Sequence, residues 1–117
     1  MKKPMDEFLK AYIVCALWSS LDNEEPMDKN HSEDDLAPRT LKQMRKDCEQ
    51  FKAENAKDLE GADMSLAGHD FWLTRESHGA GFWDGDWPKA IGKRLTASAH
   101  KFGGFALYVG DDGKIYA

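Results

Sequence analysis

No stretch of the chain is apolar for long enough to cross a bilayer. A spanning helix needs about 20 apolar residues, and the longest run near the N-terminus extends only from Tyr12 to Trp18. Asp6 and Glu7 precede that run where an export signal would carry basic residues, so a cytosolic protein is expected. Cysteine is scarce as well. Cys15 and Cys48 stand among apolar residues, with no CxxC spacing and no neighbouring His, which argues against zinc and for two reduced, buried thiols. Positive charge is also in deficit, with 16 Lys+Arg against 21 Asp+Glu and a net charge of −5. Residues 1–60 hold 10 basic and 14 acidic groups and residues 61–117 hold 6 and 7, so neither half is basic. Binding to a phosphate backbone draws on cations that release counterions, and nucleic acid is therefore not expected as the main ligand. Three familiar catalytic and binding patterns are missing too. The glycines form no phosphate loop, Ser19, Ser20 and Ser98 lack a His and acid in a nucleophile arrangement, and the acidic residues after Leu21 lack EF-hand spacing.

What is present suffices for one domain, because 117 residues with 41% hydrophobic content can bury a single modest core. Met5, Phe8, Leu9, Tyr12, Ile13, Ala16 and Leu17 recur at helical spacing, with Pro4 and the Asp6–Glu7 pair at the start. Residues 22–35 read as a polar, acidic, solvated loop. A second helix is expected from Pro38 to about Leu59 on the stripe Leu41, Met44, Cys48 and Phe51, weakening at Asn55, and antiparallel to the first. From Asp70 the period changes. Phe71, Leu73 and Arg75 alternate with Trp72 and Thr74, Ser77–Gly81 supplies turn residues, and Phe82–Trp83 resume an extended run, which together predict a β-hairpin. Asp86 is placed to cap a third helix carrying Trp87, Ile91, Leu95, Ser98 and Phe102, and residues 105–117 predict a second hairpin. The expected fold is α+β: two N-terminal antiparallel helices over residues 5–59, then a ββαββ unit over residues 69–117 forming a small antiparallel sheet.

The stretch HDFWLTRESHGAGFWDGDW, His69 to Trp87, concentrates three of the four tryptophans and two of the four histidines. Most of its polar residues have structural uses available, as strand opener, turn donors' acceptors and helix cap. One sheet face is expected to remain partly uncovered, so Trp72, Arg75, His78 and Trp83 are the candidate binding surface, Trp and Arg being the residue types that dominate protein interfaces. A weaker alternative groups His69, His78, Asp84 and Asp86 as metal ligands in a small metal-assisted enzyme or nucleic-acid-processing factor. Their spacing matches no metal motif, and no cofactor is expected.

The same stretch, with ALWSSLD at residues 16–22, LAPRTLKQMRKDCEQF at residues 36–51 and the ending FGGFALYVGDDGKIYA, resembles a family of short proteins encoded by tailed bacteriophages. The resemblance runs through most of the chain and is weakest over residues 23–35. Arg39 departs from it, because an acidic residue is expected after Pro38, and this puts a first-turn dipole contribution in doubt. What the resemblance implies is a phage origin and the cytoplasm of an infected bacterium as the setting; it carries no activity with it. Together with the missing catalytic motifs it leads to the expectation of a non-enzymatic accessory protein that binds a host or phage protein, as an inhibitor of host machinery or antiviral defence would. Mimicry of DNA phosphates fits poorly at a charge of −5 with basic residues interspersed.

Overall fold

A computed structural model describes residues 4–77 and 80–117. Among these the chain forms five α-helices and two small hairpins: α1 Glu7–Ser19, β1 Leu21–Asp22, β2 Glu25–Pro26, α2 Pro38–Glu54, α3 Ala56–Leu59, α4 Met64–Arg75, α5 Lys89–His100, β3 Tyr108–Val109 and β4 Ile115–Tyr116. None of the described helices is long and apolar enough to cross a membrane. The molecule is therefore mainly helical, and the expected α+β arrangement with a ββαββ unit is wrong.

The error is clearest at residues 70–75, which end a helix instead of forming a strand. Asp63 caps α4, its carboxylate accepting from the backbone N–H of Ser65 and Leu66, and so commits the chain to helix before the apparent alternation begins. Phe71, Trp72, Leu73, Thr74 and Arg75 are all buried. A half-covered strand would bury every second residue, whereas this helix turn is enclosed on all sides and shows no apolar stripe to betray its period. Without that strand Phe82–Trp83 has no pairing partner, and residues 81–87 form turns and bends. Of the expected ββαββ unit the helix forms, as α5, and the last hairpin forms, with register Tyr108↔Tyr116 and Val109↔Ile115, whereas the first hairpin does not.

α1 follows the predicted stripe. Asp6 is its N-cap and accepts from Leu9 N–H at 2.9 Å. Its main partner is α4, however, and its contact with α2 is much smaller than an antiparallel pair would give. Gly68 explains the pairing, because a Cβ there would lie 2.1 Å from the Phe8 carbonyl oxygen. Only glycine lets the two backbones approach so closely.

The second predicted helix is broken where its stripe weakens. Asn55 leaves helical geometry, and its amide donates to Phe51 O at 2.9 Å and Ser98 Oγ at 2.8 Å. Arg39, instead of an acid in the first turn of α2, lies over the Tyr116 ring at 4.8 Å and ties that helix to the C-terminal hairpin. The acidic segment is also more ordered than expected. β1 and β2 pair around Asn23 and Glu24, both at positive φ. Met27 is buried, and Ser32 with Asp35 forms a reciprocal cap on a 3-10 turn, Glu33–Asp35.

One core joins these elements. Phe51 stacks on Phe71 at 4.2 Å between centroids and on Phe82 at 5.6 Å, while Phe8, Tyr12, Trp72 and Phe102 close round them. Cys15 and Cys48 are free and buried, and burial pushes the Cys15 thiol up to about 12.

Candidate functional site

Two of the four residues expected at a binding surface are interior. Trp72 is 1% exposed, and its indole N–H donates to Ser19 Oγ at 2.8 Å; that hydroxyl donates in turn to Cys15 O. Arg75 is 5% exposed. It donates to Asp47 Oδ2 at 2.9 Å, Tyr12 Oη at 3.0 Å, Gly103 O at 2.9 Å and Phe102 O at 3.2 Å. Burial opposes its charge, but the Tyr12 oxygen and the Asp47 carboxylate outweigh that and hold its pKa above the ordinary arginine value. Neither side chain is available to a partner: the helix that replaced the expected strand turned both inward. His78 lies outside the described residues.

The alternative metal set fares as follows. His69 Nδ1 lies 3.1 Å from Asp70 Oδ1, and the His69 ring stacks on Trp18. Asp70 is buried and accepts from the Trp87 indole at 2.7 Å. Asp84 Oδ2 accepts from Gly81 N–H at 3.2 Å, closing a turn. Asp86 is exposed, and α5 begins at Lys89 with Pro88 as its N-cap and no side-chain cap, so the capping role expected of Asp86 is not observed. No group of three or more potential ligands occurs among the described residues.

Trp83 differs from these residues because it is 47% exposed. The loop carrying it is fixed from both sides. Phe82 N–H donates to Thr74 Oγ1 at 3.2 Å. On the other side α5 packs so closely that a Cβ on Gly92 would meet Phe82 O at 2.5 Å. Trp87 packs its edge against Phe82 at 5.3 Å and is tethered to α4 through Asp70. Between this loop and α5 lies a groove of about 670 Å³. Phe82, Trp83 and Trp87 line it from the loop, and Lys89, Lys93 and His100 from the helix.

The helix contribution has a sequence logic. Lys89, Lys93, Thr96, Ala97 and His100 follow the spacing i, i+4, i+7, i+8, i+11 and so share one face, while Gly92, Leu95 and Ala99 turn into the core. Among the described residues no acidic side chain lines the groove. Lys89, Lys93 and His100 were not anticipated as site residues, although a signal existed: residues 87–110 contain Lys89, Lys93, Arg94 and Lys101 and no Asp or Glu. Over residues 61–117 as a whole, the acids on either side of that run cancel it.

A second apolar surface centres on α1. Val14 is 55% exposed, Trp18 45% and, in β1, Leu21 63%. A recess of about 260 Å³ beside Val14 has Lys10, Asp28, His31 and Glu33 around it, a rim of both charge signs. Val14 and Trp18 lie off the predicted stripe of α1, which was the available sign that they face outward.

The described residues thus define a mainly helical protein with a fixed aromatic groove rimmed by cations. Compared with family models, with curated proteins and with solved structures, the chain finds no match in any of the three.

Proposed function

We propose that the protein is a phage accessory protein that acts without catalysis, by binding a protein of the host or the phage in the cytoplasm of the infected cell, as an inhibitor of host machinery or antiviral defence does. The phage setting rests on the resemblance of residues 16–22, 36–51, 69–87 and 102–117 to short proteins of tailed phages. The binding reading rests on one observation, that Trp83 and Trp18 stand about half exposed. A large apolar side chain left in water forgoes the roughly 1.5–3 kcal/mol its burial would supply, and tryptophan is the residue type most often recovered as an interface anchor.

The test is capture of partners from a lysate of the bacterial host with the full-length chain as bait, identification by mass spectrometry, and reconstitution of the pair from purified components. A reconstituted complex that weakens about tenfold or more in the double variant Trp18→Ala/Trp83→Ala is expected, since hot-spot tryptophans contribute on the order of 2 kcal/mol or more. Failure of every captured protein to bind in purified form, or indifference of the complex to the double variant, would overturn the reading.

A further inference from the structure

We infer that the groove between residues 82–87 and α5 is a docking site for an acidic peptide segment carrying a bulky apolar residue. This deepens the binding function proposed above and rests on it. Three observations select this occupant. The concave surface is aromatic, with Phe82 buried, Trp87 half-buried and Trp83 half-exposed, so it accepts one large apolar side chain. Its rim is cationic on a chain whose net charge is −5. Finally, those cations are unspent. Lys89 and Lys93 are exposed and form no ion pair among the described residues, whereas Arg94, next to Lys93, is already committed to Asp58 at 2.7 and 2.9 Å.

Lys89 and Lys93 stand four residues apart on one helix, which sets their Cβ atoms about 6 Å apart. That spacing suits two carboxylates on successive turns of a helix or on one face of a strand. The first turn of α5 contains no acidic residue, and its N-cap, Pro88, makes no side-chain hydrogen bond. The recess beside Val14 has no comparable bias, because its rim mixes both signs and specifies no partner charge.

A nucleic acid fits less well. Two lysines neutralise few phosphates, and the overall charge of −5 repels a polyanion at longer range. A second copy of this chain also fits less well. Its exposed Leu21, flanked by Asp22, Glu24 and Glu25, has the right chemistry. Seated head to tail, however, it would leave a free groove and a free hairpin at the two ends and build open chains.

The probe is a displayed library of random peptides selected on the immobilised full-length chain, followed by titration of synthetic winners against ¹⁵N-labelled protein. Enriched peptides should pair an aromatic or Leu with at least two Asp or Glu and should shift the Trp83 indole resonance. They should bind about tenfold more weakly to Trp83→Ala and to Lys89→Glu/Lys93→Glu, and nearly unchanged to Lys89→Arg/Lys93→Arg. All these positions are exposed, so circular dichroism of each variant should match the parent. Enrichment without acidic residues, binding indifferent to these variants, equal binding of an oligothymidylate, or concentration-dependent self-association abolished by Trp83→Ala would each overturn the assignment. A reconstituted protein partner that ignores Trp83→Ala but is lost with Trp18→Ala removes the groove from the proposal and leaves the binding function standing. Groove-dependent peptides with no protein partner leave the opposite result.

Discussion

Asp70 occupies the interior with one oxygen accepting from the Trp87 indole and the other beside His69. Burial is the dominant influence and raises its pKa above the ordinary 3.8, although both hydrogen bonds pull the other way. Between 3.8 and the raised value the folded state holds more protons at this group than the unfolded state does. Its contribution to stability is present in full below 3.8 and is lost as pH rises through the folded value. Asp70→Asn keeps an acceptor for Trp87 and never ionises. Urea unfolding across acidic to neutral pH should therefore show the wild type losing stability relative to the variant as pH rises through that window; a wild type that holds or gains stability relative to the variant as pH rises would refute the assignment. Arg75 shows the opposite solution to burial. Its charge persists because carboxylate, phenol and two carbonyls receive its donors, with Phe71, Phe102 and Phe105 rings within 5.7, 5.6 and 5.2 Å of the guanidinium carbon. Arg and Trp in a short polar stretch read as an interface from sequence, and nothing at residue level distinguishes an exposed Arg75 from a satisfied one.

Among the elements, helix pairing is decided by one glycine. α1 and α4 approach at Gly68 and Phe8 O, so the glycine that looks like a defect in a helix is the contact that sets their separation. Propensity alone predicts that Gly68→Ala stabilises the chain by about 1 kcal/mol. The geometry predicts destabilisation of about 1–3 kcal/mol from overpacking. Chemical denaturation reads the sign directly, and a stabilised variant would show that the helices do not meet there. The same scale shows why element types were unevenly legible. α1 has solvent on one side, along Glu7, Lys10, Val14 and Trp18, and its stripe and acidic start could be read from residues 5–17, whereas the capping role of Asp6 came from the structure. α4 is packed nearly all round, so its apolar residues have no preferred side, and a short window of it imitates alternation. The break at Asn55 was visible as a fading stripe; the hydrogen bond that Asn55 makes to Ser98 on α5 was not.

At the scale of the whole molecule, the C-terminal hairpin is part of the core and not an appendage. Ile115 is fully buried, and its carbonyl accepts from Thr40 Oγ1 at 2.9 Å and Ala37 N–H at 3.0 Å, beside a parallel bridge to Leu36. Unfolding followed by tryptophan fluorescence and by far-ultraviolet circular dichroism should accordingly give coincident transitions. Ile115→Ala should shift both together by about 2–5 kcal/mol. Separate transitions would mean that the hairpin folds as a unit of its own. Charge is also organised at this scale. The acidic surplus lies outside residues 87–110, and the acid-free run folds so that two of its lysines border the one groove where Trp83 is exposed.

The sequence by itself determined what depends on neighbours along the chain: the stripe and acidic start of α1, the start of α2 at Pro38, the last hairpin, and a net charge of −5. Tertiary structure alone decided whether residues 70–75 became strand or helix, which helix α1 would meet, and which tryptophans would see solvent. Those outcomes turn on enclosure. A segment covered on all sides carries no periodic record of its partners, and an exposed Trp83 has the same chemistry in the sequence as a buried Trp72.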